Sequence, residues 1–376
     1  MLRRIALAVV LLLLAGLVFV LATAPGRAGL KTALLIPEIL PGSPFRPLPA
    51  FTGEPLQEAV QYPYSGGRAQ GTLFRPAGNQ RYGAVILFLG INPDMENQTL
   101  LRLATALARE GIVVLLPWPV QLTQGRISYE EVEAIVGAFR FLQNQPYVNP
   151  QRIGLVGFSV GSSLALIAAA DPAISQDLRF VNAFGGYYSA ESLFWAMTTR
   201  QIELDGSTEP WEPTQNALVW FSQQLINSIE DAETRSSLER AFVSGEPLAP
   251  AEVEALSLPG RMVYEALTNR DPQRAGELFQ ALPEALMSEL ARLSPSTTLK
   301  GLKTAVYIMH DRNDTYIPYT ESRRLAAALA GYPHLHYTEF ALFQHVEPTK
   351  RLELWSFLRE IAKLYGHLSL LMLELS

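Results

Sequence analysis

From Arg68 onward the chain alternates between short apolar runs and longer segments with helical spacing, and this alternation restricts the fold more than any other feature. Apolar runs stand at 69–74, 84–89, 112–116, 153–156, 180–184, 305–309 and 335–340. Such short runs, separated by helical segments, read as strands of a mainly parallel sheet covered on both faces. The segments at 99–109 and 129–143 read as helices; in the second, Val132, Ile135, Val136, Phe139 and Leu142 recur at three and four residues. The expectation is an α/β fold, a mostly parallel sheet flanked by helices.

Between Tyr188 and Pro295 the strand signal disappears and the text becomes helical with internal stops. Leu218, Phe221, Leu225 and Ile229 make one apolar stripe, and Asp271-Pro272 reads as an N-cap followed by proline at the first helical position. We read residues 188–295 as an inserted helical cap, and residues 64–187 and 296–376 as the two parts of the α/β core. An insertion of that size would sit over one end of the sheet, and the carboxyl end is where such sheets bind ligands. A helical domain packed alongside is the alternative.

Residues 25–63 carry Pro37, Pro41, Pro44, Pro47, Pro49 and Pro55, and read as a proline-rich tether, because proline sustains neither a helix interior nor a central strand. Ahead of it, in residues 1–24, Arg3 and Arg4 precede an uncharged apolar run from Ile5 to Ala24. That run is long enough for the ~30 Å hydrocarbon core and is expected to be a transmembrane anchor. A cleaved signal segment is the competing reading, favoured by Ala22-Thr23-Ala24 and opposed by Pro25. Arg3 and Arg4 favour a cytoplasmic N-terminus with the rest of the chain on the extracytoplasmic side, or secreted if the segment is cleaved. At the other end, Leu368 to Leu375 is too short to span and is expected to dock on the fold or touch the membrane surface.

A net charge of −6 gives no broad footprint for phosphate backbones, which argues against a nucleic-acid partner. With no cysteine there is no disulfide, no thiolate nucleophile and no cysteine metal site. No ligand cluster or phosphate-binding glycine pattern indicates a metal or an organic cofactor.

The chemistry is carried by Gly157-Phe158-Ser159-Val160-Gly161, which follows a buried-strand pattern and opens a run of helix formers. A strand-turn-helix arrangement forces the serine into a sharp, exposed bend, where crowding explains the two glycines. A serine hydroxyl is a poor nucleophile at neutral pH and needs a base held by a third group. Of the five histidines, His345 stands in a loop between the last predicted strand and the last helix, where it could reach the carboxyl end of the sheet. The acid is sought in His310-Asp311-Arg312-Asn313-Asp314, just after the strand at 305–309. Asp314 is preferred; Asp311 is the competitor, read as an exposed turn residue paired with Arg312.

These residues, in the chain order Ser159, Asp314, His345, give the chain a resemblance to the serine-dependent α/β-hydrolases. It covers about 68–187 and 296–365, with a helical cap common in the family where 188–295 lie. The resemblance implies an oxyanion hole of two backbone N–H groups, one from Val160 and the other from the loop Leu89-Gly90-Ile91-Asn92-Pro93-Asp94. Ile91 is the preferred second donor and Asn92 the runner-up; Pro93 has no N–H. The chain departs from the family at Leu89, where many members carry histidine before the glycine. Asp94 and Glu96 read as solvated loop carboxylates, while Trp195, Trp211 and Trp220 read either as an apolar substrate pocket or as the core of the cap. The expected function is a serine hydrolase, an esterase acting through an acyl-enzyme on a small-molecule acyl ester of lipid-like character. An acyltransferase, a peptidase and an inactive hydrolase-like binding protein are the alternatives.

Overall fold

The computed structural model describes residues 16, 18–40, 42–204, 206–347 and 352–376. One sheet holds β1 (Leu56–Tyr64), β2 (Gly67–Arg75), β3 (Tyr82–Phe88), β4 (Ile112–Pro117), β5 (Val148–Phe158) and β6 (Phe180–Phe184). After a small hairpin, β7 (Gln201–Leu204) and β8 (Ser207–Pro210), it is completed by β9 (Ala305–Asp311) and β10 (Leu335–Phe340). The order is β1-β2-β4-β3-β5-β6-β9-β10. β2 runs antiparallel to both of its neighbours, and the pairs from β4 through β10 are parallel.

The buried-strand reading follows from the layers. Alternate residues of β3 point to opposite faces. Ile86 joins a core made with Val132 and Phe139 of α3 (Tyr129–Gln143) and Leu164 of α4 (Val160–Ala169). Val85 and Leu87 join the core on the other face, made with Leu35 of α1 (Ala24–Ile39), Leu107 of α2 (Gln98–Arg109) and Leu371 of α6 (Leu354–Glu374). Between α4 and α6, Leu325 of α5 (Thr320–Ala328) packs on the first face. Every residue of β3 and β4 is buried, which requires the apolar runs from which these strands were predicted.

Between β6 and β9 the chain is mainly helical, with a core of its own around Phe194, Leu225, Val263 and Phe279. It also holds the β7–β8 hairpin, which the sequence reading did not anticipate there.

The segment 25–63 is corrected from a tether to an ordered part of the fold. α1 buries Ala28 and Leu35, and its Lys31 Nζ donates to the Glu110 carbonyl at 2.6 Å. Pro25 lies in the first turn, where its missing N–H is no loss, and Pro37 falls in the last turn. Pro63 sits in β1, an edge strand paired on one side only, where a missing donor is tolerated. Most of the run from Ile5 to Ala24 lies outside the described residues; among those described, no helix is long and apolar enough to cross a membrane. The C-terminal run docks on the fold, with Leu371, Met372 and Leu375 buried against the sheet.

Candidate active site

The sheet reverses its winding at β3, which has β4 on one side and β5 on the other. A crevice opens outside the carboxyl ends of strands at such a point. Two sequence-predicted groups arrive there: the loop after β3 and Ser159 after β5.

Ser159 is the single residue between β5 and α4, with φ 55° and ψ −136°. Its N–H donates to the Phe184 carbonyl at 2.8 Å and its own carbonyl accepts from Ser162 N at 2.9 Å, so the bend is fixed from both sides. The glycines have steric causes. A Cβ on Gly157 would overlap the Ser162 backbone, and one on Gly161 would overlap the Leu89 carbonyl. A Cβ on Gly90 would lie 2.7 Å from the Ser159 Cβ, so the loop after β3 also passes against the serine.

His345 and Asp314 are brought together. The His345 Nδ1–H donates to Asp314 Oδ2 at 2.6 Å, so Nε2 is the ring nitrogen that the carboxylate does not engage. Asp314 is buried, and Oδ1 accepts from Tyr316 N at 2.7 Å and Ile317 N at 3.0 Å. A second imidazole, His310, places Nε2 3.2 Å from Oδ2. Burial alone would raise this carboxyl, but the facing His345 and His310 rings outweigh it and hold Asp314 well below the usual carboxylate range.

Ser159 and His345 line one groove of about 490 Å³ with Gly90, Ile91, Asn92 and Tyr316. The backbone is strained at this place. Among the described residues the non-glycine positions with positive φ are Asn92, Ser159, Arg200 and His345, and all but Arg200 line the groove. Outliers of this kind persist where the surroundings over-determine them, and they cluster at functional sites.

Val160 opens α4, where the first N–H groups have no partner within the helix. The Asn92 N–H donates to the Leu122 carbonyl at 2.9 Å and is thereby committed. The Ile91 N–H has no partner among the described residues, so of the two candidates it is the one open to a ligand.

Several contributors escaped the sequence reading. Tyr316 stacks on the His345 ring, centroids 4.9 Å apart and planes at 22°. His310, four residues before Asp314, hydrogen-bonds Ser322 and the Ile317 carbonyl and steadies the acid loop; the i, i+4 His–Asp spacing was the available signal. Asp311 is corrected from an exposed turn residue to a fully buried one. Its Oδ1 accepts from Asn313 N at 2.8 Å and its Oδ2 from Phe343 N at 2.7 Å, so it ties the acid loop to the His345 loop. Arg312 instead pairs with Glu339. Asp94 and Glu96 are exposed, with Asp94 Oδ1 accepting from Glu96 N.

The insertion reaches this site. Trp211 Nε1–H donates to the Asp314 carbonyl at 2.9 Å, and Thr214 N to the Thr315 carbonyl at 2.8 Å. Trp220 lies 5.6 Å from Tyr316 and, with Leu193, Met197, Phe221 and Leu290, lines an apolar pocket of about 80 Å³ that ends at Ser159. Of the three tryptophans, then, Trp220 faces the pocket, Trp211 donates to the Asp314 carbonyl, and Trp195 packs in the same apolar cluster as Trp211. A hydroxyl on a strained bend, an imidazole held by a buried carboxylate, and two backbone N–H groups nearby are the elements that acyl transfer requires.

The family profile described as BAAT / Acyl-CoA thioester hydrolase C terminal matches residues 131–240, from α3 through the Ser159 bend into the insertion. No curated protein sequence matches the chain. Among solved structures, the orthorhombic form of Pyrococcus horikoshii acylaminoacyl peptidase aligns with a TM-score of 0.50 at 12% identity, over 85% of this chain and 41% of that one. The uncomplexed enzyme aligns with a TM-score of 0.50 at 13% identity, over 86% and 41%. A weaker likeness, to Pyrobaculum calidifontis esterase, has a TM-score of 0.44 at 14% identity over 92% and 90%. The chain spans about two fifths of the length of the Pyrococcus horikoshii peptidase. Strand order, helices on both faces and the likeness to these peptidases together make this chain a protein of the α/β-hydrolase fold.

Proposed function

We propose that the protein is a serine hydrolase of carboxylic esters, with Ser159 as nucleophile, His345 as general base and acid, and Asp314 as the residue that holds the base. The observation that carries this reading is the Asp314–His345 hydrogen bond at 2.6 Å beside the groove that the strained Ser159 also lines.

Ser159 Oγ forms a bond to the substrate carbonyl carbon while its proton passes to His345 Nε2. The carbonyl oxygen becomes an oxyanion, which the Val160 and Ile91 N–H groups stabilise. The bond to the leaving oxygen breaks, that oxygen takes the proton from His345, and the alcohol departs. Water then attacks the acyl-enzyme by the same route and releases the acid. Asp314 stays ionised and offsets the charge of the imidazolium. No cofactor takes part in this scheme.

Esters are preferred because an alkoxide leaves more readily than an amine, and because the pocket under the insertion is apolar. A second reading, acyl transfer or hydrolysis on a thioester, is favoured by the family profile over 131–240, whose name includes acyl-CoA thioester hydrolase. An amide substrate is the third, by analogy with the acylaminoacyl peptidases. We further propose that the run from Ile5 to Ala24 attaches the enzyme to a membrane, its substrate being lipid-like. Fractionation of full-length protein with and without that segment tests the attachment.

The test of function is a panel of matched octanoyl compounds, an ester, a thioester and an anilide, assayed with the parent protein and Ser159→Ala. Ester turnover that Ser159→Ala lowers by several powers of ten supports the proposal. Preferential turnover of the thioester or anilide moves it to the second or third reading, and turnover undiminished in Ser159→Ala removes the mechanism.

A further inference from the structure

A third cavity, of about 150 Å³, lies on the face of the sheet opposite α3 and α4. Its walls come from Leu35 and Ile39 of α1, Leu103 and Leu107 of α2, and Leu368 and Leu371 of α6. The polar side chains among its lining residues are few and engaged. Asn182 Oδ1 accepts from His367 Nε2–H at 2.9 Å, and Thr99 Oγ1 accepts from Arg102. Protein interiors are close-packed, so an apolar space of this size, adjoining the groove that Ser159 lines, can admit an apolar ligand and is not a packing fault.

Its position relative to Ser159 is what gives it meaning. The cavity and the groove share Thr99, Leu103, Phe158 and Val346 as wall residues. Phe158 immediately precedes Ser159, and Val346 immediately follows His345. The pocket under the insertion meets the groove elsewhere, at Ile91, Ser159, Trp220 and Tyr316, and His345 does not line it. The pocket under the insertion therefore ends at Ser159, whereas the cavity behind α1 and α6 adjoins the groove at Phe158 and Val346, the neighbours of Ser159 and His345.

Resting on the triad reading above, the chemistry assigns the two spaces. The oxygen that His345 must protonate belongs to the leaving group, so the leaving group exits on the His345 side and the acyl group lies on the other. We propose that the cavity between the sheet and helices α1, α2 and α6 receives the alkyl chain of the leaving alcohol. The substrate class is then an ester with two apolar arms: an acyl group under the insertion and a long-chain alcohol threaded past Leu103, Phe158 and Val346. The reaction that supplies such a substrate is the esterification of a fatty alcohol, and the products are a free acid and that alcohol.

The test uses octanoate esters of alcohols from methyl to dodecyl, beside methyl esters of acids of graded length, with the full-length protein, Ile39→Trp and Leu371→Trp. In the parent, kcat/KM climbs along the alcohol series by up to about fourfold per methylene until the cavity is filled. Each tryptophan cuts the decyl-to-methyl ratio at least tenfold and leaves the slope along the acyl series in place. A parent series that is flat beyond butyl, or tryptophans that shorten the acyl series instead, overturns the assignment. A binding arm keeps this separate from failure of the triad: in Ser159→Ala protein, 1-decanol binds saturably by calorimetry, and adding Ile39→Trp weakens it at least tenfold. Absence of saturable binding, or binding indifferent to Ile39→Trp, overturns the proposal whether or not any ester is hydrolysed.

Discussion

Replacing Asp314 by asparagine tests the electrostatic logic of the site with the smallest change of shape. Oδ1 would persist as an amide oxygen and still accept from Tyr316 N and Ile317 N. At the other position an NH2 group would face His345 Nδ1, now 2.6 Å from a carboxylate oxygen. The amide donates where the carboxylate accepted, so the ring turns to the tautomer with Nδ1 bare and Nε2 protonated, and Nε2 can no longer take the serine proton. The charge that offsets the imidazolium is lost as well. The expected fall in kcat is about 10³–10⁴, or about 4–5.5 kcal/mol of transition-state stabilisation. His310 Nε2, 3.2 Å from the same oxygen, also loses an acceptor, so the fold is destabilised by about 1–3 kcal/mol. Activity is therefore referred to folded protein, measured by urea unfolding and near-ultraviolet circular dichroism. The matched control is Asp311→Asn, which sets a donor against Phe343 N or Asn313 N and should cost a similar amount of stability without reversing the His345 tautomer. Loss of less than tenfold per folded molecule in Asp314→Asn, or a greater loss in Asp311→Asn, would refute the assignment of the acid.

Three other perturbations have definite outcomes. Gly161→Ala drives a Cβ into the Leu89 carbonyl and displaces the loop that carries the Ile91 N–H; ester hydrolysis should fall about 100-fold or more, at a cost of about 1–3 kcal/mol in stability, and near-parental kinetics would exclude Ile91 as a donor. Trp211→Phe leaves the Asp314 carbonyl without its 2.9 Å indole donor, which should cost about 1–2 kcal/mol and lower kcat severalfold; an unchanged urea midpoint would show that the insertion does not brace the acid loop. Glu131 is buried, and burial pushes its carboxyl up to about 7 from 4.5. With the folded value raised, the parent bears the cost of a buried carboxylate above that pH and recovers stability as pH falls toward the unfolded value. Glu131→Gln should therefore stabilise by at most about 3 kcal/mol near pH 8 and by nothing near pH 4, whereas a gain equal at both would contradict the burial argument.

The parts of the fold that could be read from the sequence are those with one physical solution. β3 and β4 are buried on both faces, so their sequences had to be apolar throughout, and the runs at 180–184 and 335–340 form β6 and β10 over those same residues. β1 was hidden because its residues are mostly exposed and Pro63 interrupts it, which only an edge strand allows. α1 was hidden by Pro37, which removes one helical hydrogen bond and stands two residues before the helix ends. The β7–β8 hairpin left one signal that went unused, the dipeptide Asp205-Gly206, with Gly206 at φ 82°. At the site, the bend at Ser159 and the Asp314–His345 pair follow from local sequence and chain order, whereas the stacking of Tyr316 on His345 and the anchoring by Trp211 depend on how the loops and the insertion pack, which no sequence signal marks. Burial of Asp311 could not be read either, because it arises from the return of the His345 loop over the end of β9.

The central claim is that Ser159 is an activated nucleophile, and covalent labelling measures that directly. Full-length protein is treated with a fluorescent alkyl phosphonate, digested and mapped by mass spectrometry, beside Ser159→Ala and His345→Ala. The account predicts one adduct, on the peptide containing Ser159, absent from Ser159→Ala and at least a hundredfold slower to form in His345→Ala. Folded protein that takes no label, or that labels elsewhere at the same rate in all three forms, would contradict it.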